Sequence, residues 1–268
     1  MNKFGNESVK SCIPFDSIFI AGQPSIIGIL TVFFIFSSQL SIGGQGVNMA
    51  TYHCRQADTP IAIDGKLEEP AWQKATPIEF KLTVDSGRPK FPTTARMLWD
   101  DKYLYVGYHC VDEDVWATMT KRDDKLWEEE VVEIFIDANG DSASYIEIEV
   151  NPLNALVDLF VLNREGRTAK FLFDWDSKGI RHAVYVDGNV SRRDVKDNFW
   201  SVEIAIPWED FVTPPHAPPQ LGDVWRVNLY RIDHFKGEQE LSAWSPTGVP
   251  NFHVPQRFGE LVFSKGLA

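Results

Sequence analysis

The sequence predicts an all-β protein: an antiparallel β-sandwich of two sheets, with immunoglobulin-like or jelly-roll-like architecture. Three observations carry that expectation. From Ile61 onward, apolar and polar residues alternate with a period of two, the spacing of a strand with one buried face. Turn-forming residues recur at short, regular intervals between the alternating runs. No segment of the body sustains a helical period over three turns.

The expected elements follow in order. "TTARMLWDDKYLYVGYHC", Thr93 to Cys110, reads as a hairpin that turns at Asp100, Asp101 and Lys102. "VVEIFID", Val131 to Asp137, is a strand closed by Ala138-Asn139-Gly140-Asp141, an Asn-Gly turn. "YIEIEVN", Tyr145 to Asn151, pairs back on it, and "ALVDLFVL", Ala155 to Leu162, follows. "HAVYVDGNV" and "FWSVEIAIP" form a second hairpin across the polar loop Ser191 to Asn198. Pro207, Pro214, Pro215, Pro218 and Pro219 bracket a loop with at most one helical turn, Trp208 to Phe211. "VWRVNLYRID", Val224 to Asp233, is a further strand, and "GELVF", Gly259 to Phe263, closes the domain. There is no internal repeat and no interdomain linker.

The N-terminus stands apart from this body. Residues 26 to 36, "IIGILTVFFIF", are too few to span a bilayer but suit the apolar region of a signal peptide, with Lys3 and Lys10 upstream. Glu7, Asp16 and a long leading region fit that reading poorly, and the nearby small-x-small site is Ser41-Ile42-Gly43. Residues 1–48 are therefore either a signal-like segment, cleaved or kept as an anchor, or an extension ahead of a true start at Met49. The first reading places the protein outside the cell or in a periplasm, the second in the cytoplasm. Residues 49–268 form the β-sandwich domain.

Composition narrows the function. The chain has 268 residues, of which 44% are hydrophobic, enough for a sizeable core. A formal net charge of -12 leaves no basic patch, which argues against nucleic acid and against contact of the folded domain with an anionic membrane. Cys12 lies in the N-terminal segment. Cys54 and Cys110 either form a disulfide in an exported protein or remain two buried thiols. No CxxC or Cys/His cluster suggests zinc.

Alternation also sorts side chains onto faces. Val132, Ile134 and Ile136 share one face of their strand, and Val131, Glu133, Phe135 and Asp137 the other. Ile146, Ile148 and Val150 oppose Tyr145, Glu147, Glu149 and Asn151. Glu203 opposes Val202, Ile204 and Ile206, while Arg226, Asn228 and Tyr230 oppose Val227, Leu229 and, less tidily, Arg231. In one shared sheet, the outer face would present Glu133, Glu147, Glu149, Glu203, Arg226, Asn228 and Tyr230 among aromatic rings. Planar charged groups that bind hydroxyls in pairs, beside rings that stack on a pyranose, suit a saccharide. Any one of these glutamates taken alone reads as a solvated strand position, because antiparallel sheets routinely have one wet face.

Motifs in order then carry a resemblance. "IAIDGKLEEPAWQKA", "ARMLWDDKYLYVGYHCVDED", "LWEEEVVEIFIDANGD", "FWSVEIAIPWEDF" and the closing "AWSP…RFGELVF" resemble the family-9 carbohydrate-binding module, most nearly the broad group of family-9-like domains. The resemblance runs from about Thr59 to Lys265. It implies a sandwich of two antiparallel sheets and noncatalytic binding of glucose- or xylose-type sugars, often at a chain end between two tryptophans. Trp127 matches one tryptophan of that clamp and Glu133 an acidic sugar ligand. Phe252 or His253 stands where the second tryptophan is expected, and Glu149 stands where the family carries an arginine, which changes the hydroxyls that can be recognised. A uronic-acid-containing saccharide is a further candidate. Some members bind structural calcium near acidic turns, which would fall here to Asp137 and Asp141; no other cofactor is implied.

Three other readings stay open. A glycoside hydrolase would use two carboxylates, one of them in a partly apolar pocket. A haem domain would draw on Met97, Met119, His109 and His253. A structural or partner-binding sandwich needs no site at all.

Overall fold

The structure, a computed structural model, describes residues 49–164 and 169–266. Residues 1–48, with the signal-like segment and Cys12, lie outside the described residues. The described residues form fourteen strands: β1 (Thr51–Gln56), β2 (Ile78–Glu79), β3 (Lys81–Leu82), β4 (Thr93–Trp99), β5 (Tyr103–Val111), β6 (Val131–Asp137), β7 (Ser144–Val150), β8 (Leu156–Leu162), β9 (Lys170–Leu172), β10 (Arg181–Asp187), β11 (Phe199–Pro207), β12 (Val224–Phe235), β13 (Glu238–Ala243) and β14 (Gly259–Ser264). One short helix, α1 (Pro70–Lys74), and three 3-10 turns complete the described elements, among them Leu126–Glu128 and Trp208–Asp210. Among the described residues no helix is long and apolar enough to cross a membrane.

The strands form two layers, in the order β10-β11-β5-β4 and β14-β12-β6-β7-β8-β9, with β13 on the flank of β12. β1 joins them. It runs parallel to β14, with Tyr52 beside Leu261, and parallel to β4, with Arg55 beside Leu98. The sandwich is thus one curled, mixed sheet; every other strand pair is antiparallel. The expected hairpins appear as β4–β5, β6–β7 and β10–β11. Gly140, at a φ of 69°, makes the β6–β7 turn, and the Asp137 carboxylate accepts its N–H.

The main core lies between the layers. Val106 and Tyr108 of β5 and Val202 and Ile204 of β11 pack with Ile134, Ile148, Val150 and Leu229 from the opposite layer. Tyr108 crosses the core to donate its hydroxyl to the Glu133 carbonyl at 2.8 Å. Cys54 and Cys110 are free thiols in this core. Cys54 lies beside Met97 of β4, one step from the Arg55–Leu98 pair, whereas Cys110 lies opposite Thr93. Four residues of strand separate those positions, about 13 Å at the rise of a β-strand and beyond disulfide reach. The disulfide alternative is corrected accordingly, and burial pushes the Cys110 thiol up to about 12.

The outer face of the second layer is where expectation and structure part. The alternation predicts a solvated face; every residue of β6 is buried. Chain outside the sheet folds over it. Leu126, Phe252 and Phe258 come from segments flanking the strands and pack on Val131, Phe135, Tyr145 and Tyr230 as a second core. Burying rings of that size is worth roughly 1.5–3 kcal/mol each, enough to draw a loop across a sheet.

Candidate functional site

Under that cover lies a cavity of about 480 Å³. Its floor is a carboxylate cluster set by strand register. Glu133 of β6 pairs across from Glu149 of β7, and Phe135 pairs with Glu147, so all three glutamates share the face turned from the main core. Carboxylate oxygens from the three lie within 4.8 Å of one another, and all three side chains are buried. Glu133 Oε1, Glu147 Oε2 and Glu149 Oε2 have no hydrogen-bond partner.

The walls are apolar and largely aromatic. Trp127, Phe171, Phe173, Phe252 and His253 surround the floor, with Leu159, Ile232 and Leu241 behind them and Gln239 and Asn251 as the amides. Trp127 stands on the 3-10 turn Leu126–Glu128, anchored by the buried Leu126. The adjoining Glu129 carboxylate accepts the Thr118 N–H at 2.7 Å, which fixes the loop that carries the indole. Trp127 is half-buried and inclined to Phe173, with ring centres 6.1 Å apart. The His253 ring stacks on Phe135 at 5.1 Å, meets the edge of Phe171 at 4.9 Å, and shares a 2.9 Å hydrogen bond between Nδ1 and the Tyr145 hydroxyl. Phe252 stacks on Tyr230 at 4.1 Å.

Six of the eight residues singled out as ligand candidates therefore meet in this cavity: Trp127, Glu133, Glu147, Glu149, Phe252 and His253. Arg226 and Asn228 do not. Arg226 donates Nε to the Phe258 carbonyl at 2.9 Å. Asn228 donates to the Tyr230 hydroxyl and the Ser245 carbonyl and accepts the Ser245 N–H. Both pin the segment 245–258 over the sheet, so their polar atoms are spent on the protein. Glu203 belongs to the other layer. It accepts the N–H groups of Asp64, Gly65 and Leu67 and the Trp72 indole N–H, which ties the segment around α1 to β11. Phe171 and Phe173 were not foreseen. The run "KFLFDW" spaces two rings by two residues, a signal legible only once β9 is known to lie beside the floor.

Burial dominates the chemistry of the floor. It raises Glu133 and Glu149 well above the usual carboxylate range, with neighbouring glutamates adding to the effect, and raises Glu147 to about 8. Burial also lowers His253 to about 4, so its imidazole is neutral near pH 7. No lysine or arginine is among the described residues lining the cavity.

A second buried set, Asp112, Glu130 and Asp233, also brings three carboxylates together. Arg231 occupies it, with Nη2 at 2.6 Å from Asp112 and 2.9 Å from Asp233. Asp137 and Asp141, the calcium candidates, belong to neither set. Asp137 accepts the N–H groups of Gly140 and Ser142, and Asp141 those of Ala143 and Ser144 together with the Asn139 amide. Every one of their four carboxylate oxygens accepts a hydrogen bond from within the turn, as turn aspartates do. The haem candidates are scattered: Met97 is wholly buried between the layers, and His109 stacks on Phe199 at the β5–β11 pair.

Comparison with known proteins places the chain. The family model described as carbohydrate family 9 binding domain-like matches residues 63–266. An extracellular protein of Arthroderma benhamiae is 29% identical over 212 residues, covering 76% of this chain and 92% of that protein. Endo-1,4-beta-xylanase A of Thermotoga maritima is 36% identical over 226 residues, covering 81% of this chain but only 18% of the xylanase. Among solved structures, a family 9 carbohydrate-binding module of Caldicellulosiruptor kristjanssonii in complex with cellotriose superposes with a TM-score of 0.57 at 17% identity, over 81% of this chain and 95% of that one. At that identity the likeness is one of fold.

Proposed function

The chain belongs to the carbohydrate family 9 binding domain-like family, and we propose that its aromatic-walled acidic cavity is a noncatalytic saccharide-binding site. The observation that carries this reading is the pairing of Trp127 and Phe173 with Phe171, Phe252 and His253 around a floor of three glutamates. Rings on two sides can stack on the apolar faces of a pyranose while carboxyl groups engage its hydroxyls. A binding role is further supported by a related module solved with cellotriose and with glucose. In the Thermotoga xylanase the matching region is a small part of a longer protein, which suits a targeting module. We place the domain outside the cytoplasm on the strength of the Arthroderma relative, described as extracellular.

Hydrolysis fits the floor less well. The two-carboxylate mechanisms need one ionised group beside one protonated group. Here burial pushes all three glutamates up, and among the described residues no lysine or arginine lines the cavity to hold one ionised.

The test is a titration of the full chain with glucose, xylose, cellobiose and xylobiose, followed by tryptophan fluorescence. Saturable change is expected. Trp127→Ala should abolish it, or weaken affinity by about tenfold or more, a loss of roughly 1–3 kcal/mol for a stacking platform. Circular dichroism of the half-buried Trp127 variant checks that the fold persists. Absence of any response in the parent protein rejects the proposal.

A further inference from the structure

Resting on the saccharide reading, we propose that the preferred ligand is a cationic sugar, one with a free amine, whose ammonium group sits among Glu133, Glu147 and Glu149. Three observations converge. Each glutamate leaves one buried oxygen without a partner, and the three residues bring carboxylate oxygens within 4.8 Å of one another at the cavity floor. An ammonium carries three N–H donors and no acceptor, so its valence matches three orphaned acceptor oxygens. A neutral hydroxyl supplies a single donor and leaves the other oxygens unsatisfied.

The charge balance of the cavity points the same way. No ammonium or guanidinium from the protein reaches it among the described lining residues, and its one imidazole is held neutral by burial. Three carboxyl groups left without a counter-charge make an incomplete arrangement that a ligand cation completes. In the second buried cluster Arg231 supplies such a counter-charge directly to Asp112 and Asp233. The floor at Glu133 likewise gathers three buried carboxyl groups, with no lysine or arginine among the described lining residues. A uronic acid would add a fourth carboxyl to this floor and is disfavoured. A bare divalent ion would have carboxylates on one side only. Apart from Gln239 and Asn251, the described side chains of the remaining walls are apolar or aromatic and offer no oxygen to a calcium ion, which takes six to eight. Those same rings suit the pyranose that would carry the amine. The net charge of -12 draws a cation toward the mouth.

Calorimetric titration of the full chain at pH 7, with EDTA present, against glucosamine, glucose, N-acetylglucosamine and glucuronate tests this. Glucosamine is expected to bind about tenfold or more tighter than glucose, as an added charge-assisted contact implies. N-Acetylglucosamine, which has lost the positive charge, should bind no better than glucose, and glucuronate weakest. The heat should vary with the ionisation enthalpy of the buffer, because ammonium binding expels protons from the glutamates. Glu149→Gln, and independently Glu147→Gln, should reduce the ratio of glucosamine to glucose affinity. Equal or tighter binding of glucose overturns the cationic assignment and leaves the saccharide site standing. Failure of every sugar to bind overturns both. A titration with calcium alone that saturates, and that blocks glucosamine, assigns the floor to a metal ion and also overturns it.

Discussion

Glu147 shows how a single residue can be visible in the sequence while its state is not. Its place in "YIEIEV" fixes the face it occupies, and strand register fixes its neighbour across the ladder, Phe135. The alternation does not say what covers that face. A solvated glutamate and a buried one have the same sequence pattern, and only the segment 245–258, more than 90 residues away in the chain, decides between them. The consequence is measurable. Burial raises Glu147 from 4.5 to about 8, with Glu133, Glu149, His253 and Tyr145 as its titratable neighbours. A raised pKa means that the folded state keeps a proton that the unfolded chain has released. The stabilising contribution is full below about pH 4.5, is lost as pH rises, and is gone above about pH 8. Thermal unfolding between pH 5 and 8 should therefore show a falling midpoint, with this group contributing a slope of at most about 1.4 kcal/mol per pH unit. Glu147→Gln should flatten the slope. A flat profile in the parent protein would mean that the floor is hydrated.

At the scale of elements, the hairpins β4–β5, β6–β7 and β10–β11 were legible because each joins alternating runs through turn residues. The Trp208 to Phe211 turn was legible from its flanking prolines. β1, β9 and β13 were not. Each is short or polar and gains its pairing from a distant partner: β14 and β4 for β1, β8 for β9, β12 for β13. Arg226 and Asn228 share a face with Glu133 in the sequence pattern, but alternation does not distinguish an outward donor from one spent on a carbonyl. Arg231 broke the apolar pattern of β12 for a reason that only packing reveals. From β12 it reaches the far layer, donating to the Val111 carbonyl at 2.9 Å, the Thr93 hydroxyl at 3.2 Å and Asp112. Removing it leaves Asp112, Glu130 and Asp233 buried without a counter-charge. Arg231→Met should destabilise the fold by about 3–5 kcal/mol, the range for breaking one side of a buried ion pair. Denaturant unfolding reads this directly. A loss under about 1 kcal/mol would mean that the pair behaves as a solvated one.

For the whole molecule, the two layers and the closing segment act together to make the site. The main core sets the spacing of β6 and β7, and β1 holds the layers in one curled sheet. The 245–258 segment then roofs a face that a simpler sandwich would leave wet. The chain carries a formal net charge of -12, which favours a ligand that is neutral or positive rather than anionic. The fold class was legible because period-two alternation is repeated along the whole body. The cavity was not, because it is made by loops whose sequence carries no period. The most direct measurement is a crystal structure of the full chain grown with cellobiose. The account predicts a pyranose ring between Trp127 and the Phe252–His253 wall, with its hydroxyls against Glu133. A sugar bound to another surface while that cavity holds only solvent would contradict it.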